Sequence, residues 1–197
     1  MSDAGLVPYL VSLDELRAFA GSKDLSVVQR METLFKNEIA ENGSIHRQAI
    51  IDGAPTLGQA LAKIAMGEPL RGFGAQYVYA LELLCAHFGQ KLRNSSVYPV
   101  DDDWLLRVVD PIFDAWKLGE WLSFKRLIYG SWPLKLPHAE FPRGGMLEAQ
   151  DVERALAVMR GGALPRFDKE VVQLIGEVRG WVEAAANRRA GIVCFYY

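Results

Sequence analysis

The chain has 197 residues, 50% of them apolar and 23% charged, with 22 basic and 24 acidic side chains and a net charge of −2. A chain of this length fits one domain that hides about 70% of its unfolded surface without disulfides or metal, and the composition excludes a disordered, collagen-like or disulfide-framed protein. The charge balance gives no support to nucleic-acid binding or to an anionic membrane surface.

Leu6-Val7-Pro8-Tyr9-Leu10-Val11 reads as a short apolar strand, which Pro8 confines to a sheet edge or to the start of a strand. Ser12 and Glu15 form an S-x-x-E capping box, Leu13, Leu16 and Phe19 follow at helical spacing, and Gly21 stops the helix. From Leu25 to about Glu41 the apolar residues repeat at three and four, which predicts a one-sided helix ended by Asn42-Gly43. Thr56 and Gln59 make a second capping box, opening a helix that ends at Gly67. The strongest helical signal runs from Ala75 to Phe88, where Tyr77, Val78, Leu81, Leu84, Cys85 and Phe88 share a face and Gly89 caps the end.

Further on, Asp101, Asp102 and Asp103 sit where a helix N-terminus favours negative charge, and Pro111 kinks or divides the helix that follows. A short helix carries Phe124 to Tyr129, and Trp132 to Gly145, with three prolines, reads as a long surface crossing. Met146-Leu147 is a candidate short strand, followed by a helix through Met159 that stops at Gly161-Gly162. Asp168 is placed to cap the last helix, and Gly191 to Tyr197 has the composition of a strand. A chain that finishes on such a run must tuck it into a sheet. The expected fold is α+β: a predominantly helical single domain over residues 1–197, with a small sheet formed by the N-terminal and C-terminal strands.

Catalytic motifs are scarce. Gly72-Phe73-Gly74 starts like a dinucleotide loop, but Tyr77 stands where the third glycine belongs and no clear strand precedes it. His46, His87 and His138 are scattered, and two cysteines cannot make a four-cysteine zinc site, so no metal and no cofactor is expected. Cys85 and His87 lie two apart on a helix and point to nearly opposite sides, so they fail as a nucleophile and its base. Both Cys85 and Cys194 read as buried thiols. No G-x-S-x-G elbow appears. Glu82 lies mid-way along the core helix among leucines, with Tyr79 one turn before it and His87 beyond, a carboxylate open to acid–base tuning or to a structural hydrogen bond.

Aromatic residues are the more telling surplus. Trp104, Trp116, Trp121 and Trp132 fall close together with Phe113, Phe124 and Tyr129. Tryptophan is enriched in binding hot spots as well as in cores. Trp121 and Trp132 are expected to be exposed and, with Tyr129 and Phe141, to form a contact patch for another protein.

Three separated stretches resemble the YfbM-like group of uncharacterised bacterial proteins: Tyr9 to Leu16, Phe141-Pro142-Arg143-Gly144-Gly145-Met146-Leu147 with the following helix, and Gly180 to Ala186 with the terminal strand. Gly74 to Glu82 is similar to a core helix of related domains of unknown function. The resemblance implies an α+β fold and supplies no active-site residue.

The first functional expectation is a non-enzymatic protein that binds another protein, in its most concrete form an immunity or antitoxin-like protein that occludes a toxin's active site. The alternative is a small-molecule-binding or hydrolytic enzyme using Glu82 with Tyr79 or His87. A nucleic-acid partner has weak support, because Arg188-Arg189 is more simply a match to a helix C-terminus. The opening residues lack the features of a signal peptide, and no stretch of about 18 apolar residues could span a bilayer. A reducing, cytoplasmic setting is expected.

Overall fold

The computed structural model describes residues 4–161 and 168–197. Met1–Asp3, read above for a leader, and Gly162 lie outside the described residues. Four strands pair in one antiparallel sheet of order β2-β1-β4-β3: β1 (Leu6–Val11), β2 (Gly89–Lys91), β3 (Arg143–Leu147) and β4 (Gly191–Tyr196). β4 pairs with β1 along its whole length, Leu6 opposite Tyr196 and Val11 opposite Gly191, and with β3 from Arg143 opposite Tyr196 to Leu147 opposite Ile192. All six residues of β4 are buried, which is how its apolar run avoids becoming an open edge. The α+β fold with a small sheet built on the terminal strands is as expected.

Three strand details differ from the sequence reading. β3 begins at Arg143, inside the expected surface crossing and three residues before the expected Met146-Leu147 strand. β1 lies inside the sheet, not at its edge. Pro8 is tolerated because β2 reaches only Tyr9 to Val11, so the missing N–H interrupts no ladder on that side. Gly89 opens β2 instead of capping a helix; three residues without apolar alternation leave no strand signal to read.

The described residues fall into two units. The second comprises Asp14–Phe88 and Leu134–Pro142. Its helices are α1 (Leu13–Phe19), α2 (Leu25–Leu34), α3 (Lys36–Ile45), α4 (Arg47–Ile51), α5 (Leu57–Met66) and α6 (Gly74–Phe88). Its core gathers Met31, Leu61, Ala65, Tyr77 and Leu84. The Thr56 capping box forms as expected, Gln59 N–H to Thr56 Oγ1 at 3.3 Å and Thr56 N–H to Gln59 Oε1 at 2.9 Å, and Gly67 ends α5 at φ 69°.

The helix expected over 25–41 is instead broken at Phe35 and His46 into α2, α3 and α4. Asn42-Gly43 does not end it. The His46 N–H still reaches the Asn42 carbonyl at 2.9 Å, and the Asn42 side chain is buried, so continued helical bonding overrides the local turn signal.

The first unit holds the sheet, from the described residues of Met1–Leu13, Gly89–Pro133 and Arg143–Tyr197. Its helices are α7 (Asp102–Trp104), α8 (Asp110–Ala115), α9 (Phe124–Tyr129), α10 (Ala149–Gly161) and α11 (Lys169–Arg188), with a π-helical turn over Leu105–Val109. Pro111 explains that turn: lacking an N–H and crowding the carbonyl four residues back, it favours the wider helix, and the Asp110 N–H bonds Leu105 five residues back. Asp168 stands at the start of α11 without a side-chain cap bond. Leu6, Leu10, Ile192, Cys194 and Tyr196 face a core built with Phe113, Phe124, Val178 and Trp181. Alternate residues face the other way, where Phe195 meets Tyr9 edge-on and stacks with Trp132 at 5.3 Å.

Candidate functional site

Four elements of the first unit bring Asp102, Tyr129, Arg143 and Tyr196 together. Arg143 opens β3 and is paired in register with Tyr196, the last residue of β4. Tyr129 ends α9, and a bridge to Gly144 fixes it beside β3. That approach needs glycine: a Cβ on Gly145 would come within 2.1 Å of the Arg126 carbonyl oxygen, and one on Gly130 would meet the same atom. Asp102 begins α7, and its N–H bonds the Tyr196 hydroxyl at 3.0 Å.

The guanidinium carbon of Arg143 lies 4.7 Å from the Tyr129 ring centre and 4.9 Å from that of Tyr196, a double cation–π contact. Its Nη1 donates to the Tyr129 hydroxyl and pairs with Asp102 Oδ2 at 3.0 Å. The Tyr129 hydroxyl in turn donates to Asp102 Oδ2. Tyr129 nonetheless exposes 49% of its surface. The site is a rigid and half-open arginine–tyrosine face.

Its charges follow from these contacts. Burial raises the pKa of Asp102, but the Tyr129 hydrogen bond and the Arg143 guanidinium outweigh it and hold the carboxyl below its ordinary range. The Tyr129 phenol is pushed up by burial and by its bond to Asp102, against the pull of Arg143. Burial raises Tyr196 too. At neutral pH the cluster therefore holds a carboxylate, a guanidinium and two neutral phenols.

The other residues singled out from sequence are dispersed. Trp121 is half-buried, with the Arg154 guanidinium 4.3 Å over its ring and its carbonyl held by Arg126 at 3.3 Å. Trp132 is half-buried against Phe195, and a Cβ on Gly144 would strike its ring at 2.3 Å. The two tryptophans are thus more covered than expected, because each has an aromatic or cationic lid. Phe141, in the second unit, is exposed and precedes a cis bond to Pro142.

In that unit Tyr79 and Glu82 are close enough to interact: burial first, and then the Glu82 charge, raises the Tyr79 phenol. The His46 ring lies 5.0 Å from that of Tyr79. His87 is lowered by burial and by Arg30. A cavity of about 580 Å³ in the same unit is walled by residues such as Ile64, Leu70, Leu134 and Leu136, and none of Glu82, Tyr79 or His87 lines it. Cys85 and Cys194 are both buried. Among the described residues no group of three or more His, Cys, Asp and Glu could hold a metal ion, and no helix is long and apolar enough to cross a membrane.

Sequence reasoning found Tyr129 but missed Arg143, Asp102 and Tyr196 as its partners. Asp102 reads locally as a helix-start residue, and only the strand register reveals the rest.

A family model described as a domain of unknown function (DUF7691) matches residues 1–197. The chain belongs to that family. Comparison with curated proteins and with solved structures gave no match. A domain of unknown function fits the resemblance at that level and does not show a YfbM-like group.

Proposed function

We propose that this DUF7691 protein acts by binding another protein, with Tyr129 and Arg143 as its anchor, and that it carries out no reaction there. In its most specific form the proposal is a cytoplasmic immunity or antitoxin-like protein that occludes the active site of a toxin, with kinship to the YfbM-like group. The observation that carries the reading is the half-exposed Tyr129 locked by Asp102 and Arg143. Tyrosine and arginine are the residue types enriched in hot spots, and fixing them before contact reduces the entropy lost on docking. Trp121, Trp132 and Phe141 stay in this reading as separate candidate contacts.

The test is affinity capture of the tagged chain from its source organism's lysate, alongside Tyr129→Ala and Arg143→Ala, with circular dichroism to confirm folding. A stoichiometric partner lost with either variant supports the proposal, and toxicity of that partner expressed alone supports its specific form. A folded chain that captures nothing refutes it, as does a partner held equally by both variants.

A further inference from the structure

We infer that the cleft of about 580 Å³ in the second unit is a binding site for an extended peptide segment of another protein, taken up as an added strand by main-chain pairing. The site uses residues of that unit alone and does not rest on the reading given to the Tyr129 face.

Two stretches free of turns and bends, residues 68–71 and 135–139, supply its walls. Glu68, Pro69 and Leu70 line it from one, and Lys135, Leu136 and Pro137 from the other. Proline drives the residue before it to extended backbone, here Glu68 and Leu136.

Both walls are held in place by the unit itself. Leu70, Leu134 and Leu136 pack against the core that contains Leu61 and Tyr77. Gly74 lets the second stretch lie against the start of α6, since a Cβ there would come within 2.1 Å of the His138 carbonyl oxygen. The Glu68 N–H bonds the Lys63 carbonyl at 3.0 Å, which sets the direction in which the first stretch leaves α5. Walls fixed before contact reduce the entropy lost on docking.

What they lack is backbone pairing. Among the described residues, no backbone–backbone hydrogen bond involves residues 69–72 or 134–140. A strand laid in the cleft therefore gains main-chain bonds without breaking any the unit already makes.

The lining decides between occupants. Ile64, Leu70, Leu134 and Leu136 are buried or half-buried and apolar, whereas the charged residues Glu68 and Lys135 are both exposed at the rim. A small polar ligand would find no buried polar side chain in the cleft to orient it. An extended peptide needs none, because its main chain sets its orientation. Its side chains alternate between faces, so an aliphatic residue at every second position meets the apolar lining and the intervening ones meet water and the rim charges.

The experiment is selection of displayed random peptides of about six residues against the full chain, then titration of the enriched sequence as a blocked, labelled synthetic peptide. Saturable binding is expected, with aliphatic residues enriched at alternate positions. N-methylation of alternate peptide amides, made in both phases, should weaken binding about tenfold or more in at least one phase, the equivalent of two lost main-chain bonds. Because it alters the peptide, this readout is independent of any effect on the fold. Ala20→Trp, which fills the cleft from an exposed lining position, should abolish binding while the melting temperature holds or rises. The inference is overturned by a library that yields no binder, by peptides indifferent to N-methylation in both phases, or by full binding to folded Ala20→Trp. Self-association of the chain that Ala20→Trp abolishes also overturns it, since the cleft would then seat a second copy.

Discussion

Replacing Asp102 with asparagine removes one charge from the cluster and keeps its shape, so it tests whether the arginine–tyrosine face is held as described. The ion pair to Arg143 at 3.0 Å joins side chains 30% and 21% exposed, and a pair that wet contributes about 1 kcal/mol at most. The Tyr129 hydroxyl would then donate to a neutral oxygen instead of a carboxylate, a further loss of about 1 kcal/mol. Together the substitution should cost about 1.5–2 kcal/mol at pH 7, a fall in Tm of about 4–6 °C for a chain this long. The pH dependence follows from the lowered pKa of Asp102. A depressed carboxyl adds stability above its unfolded value, ordinarily 3.8, and loses it as pH falls through the folded value. Thermal melts of wild type and Asp102→Asn should therefore differ at pH 7 and converge below about pH 3.8. The phenol of Tyr129, held up partly by Asp102, should titrate at lower pH in the variant, read as tyrosinate absorbance. Equal melts at pH 7, or a gap undiminished at pH 2.5, would show that Asp102 does not hold the face.

Three further outcomes are expected. Asp110 accepts the Phe124 N–H at 2.6 Å and the Lys125 N–H at 2.9 Å, so Asp110→Ala should cost about 2–3 kcal/mol in urea unfolding. Burial raises its pKa despite those bonds, so Asp110→Asn, which removes the buried charge and keeps one acceptor, should cost about 1 kcal/mol; equal losses would contradict this. Trp132→Ala should lower stability by about 2 kcal/mol, since the ring stacks on Phe195 and covers Gly144, whereas an unchanged Tm would return Trp132 to the surface. Neither Cys85 nor Cys194 should react with a thiol reagent at pH 8 before unfolding, because both are buried and burial raises the Cys194 thiol far above its usual range. Prompt labelling of the folded chain would place a thiol at the surface.

Much of the fold was legible because local signals and tertiary demands agree. The period of α6 is enough to read a helix, although Gln76, Ala80 and Leu83 are buried beside the expected face, and the Thr56–Gln59 box declares itself in four residues. β4 could be inferred from its apolar run alone, since such a run must be covered. The failures share a cause. Asn42-Gly43 looks like a stop, but backbone hydrogen bonding continues through it, the His46 N–H reaching the Asn42 carbonyl. β2 has too few residues to show a period. The cluster at Tyr129 is assembled from positions 102, 129, 143 and 196, and what joins them is the β3–β4 register and the glycines that let α9 approach. None of that is a local property of the sequence.

The chemistry of the two candidate regions separates a binding reading from an enzymatic one. Acid–base catalysis at neutral pH is best served by a group whose pKa is drawn toward 7. In the Tyr129 cluster the shifts go the other way: Asp102 moves down and the two phenols move up, so each group is held in the charge state it already has at pH 7. On α6 the Glu82 charge helps raise Tyr79, which makes that phenol a poorer proton donor to a substrate, and His87 is pushed toward its neutral form by burial and Arg30. A neutral imidazole could still serve as a base, and that is the one foothold of the enzymatic alternative. It would need a bound substrate within hydrogen-bond reach of His87. The Tyr129 face needs only a partner surface with an acceptor for arginine and room for a ring, which is why the binding reading is preferred.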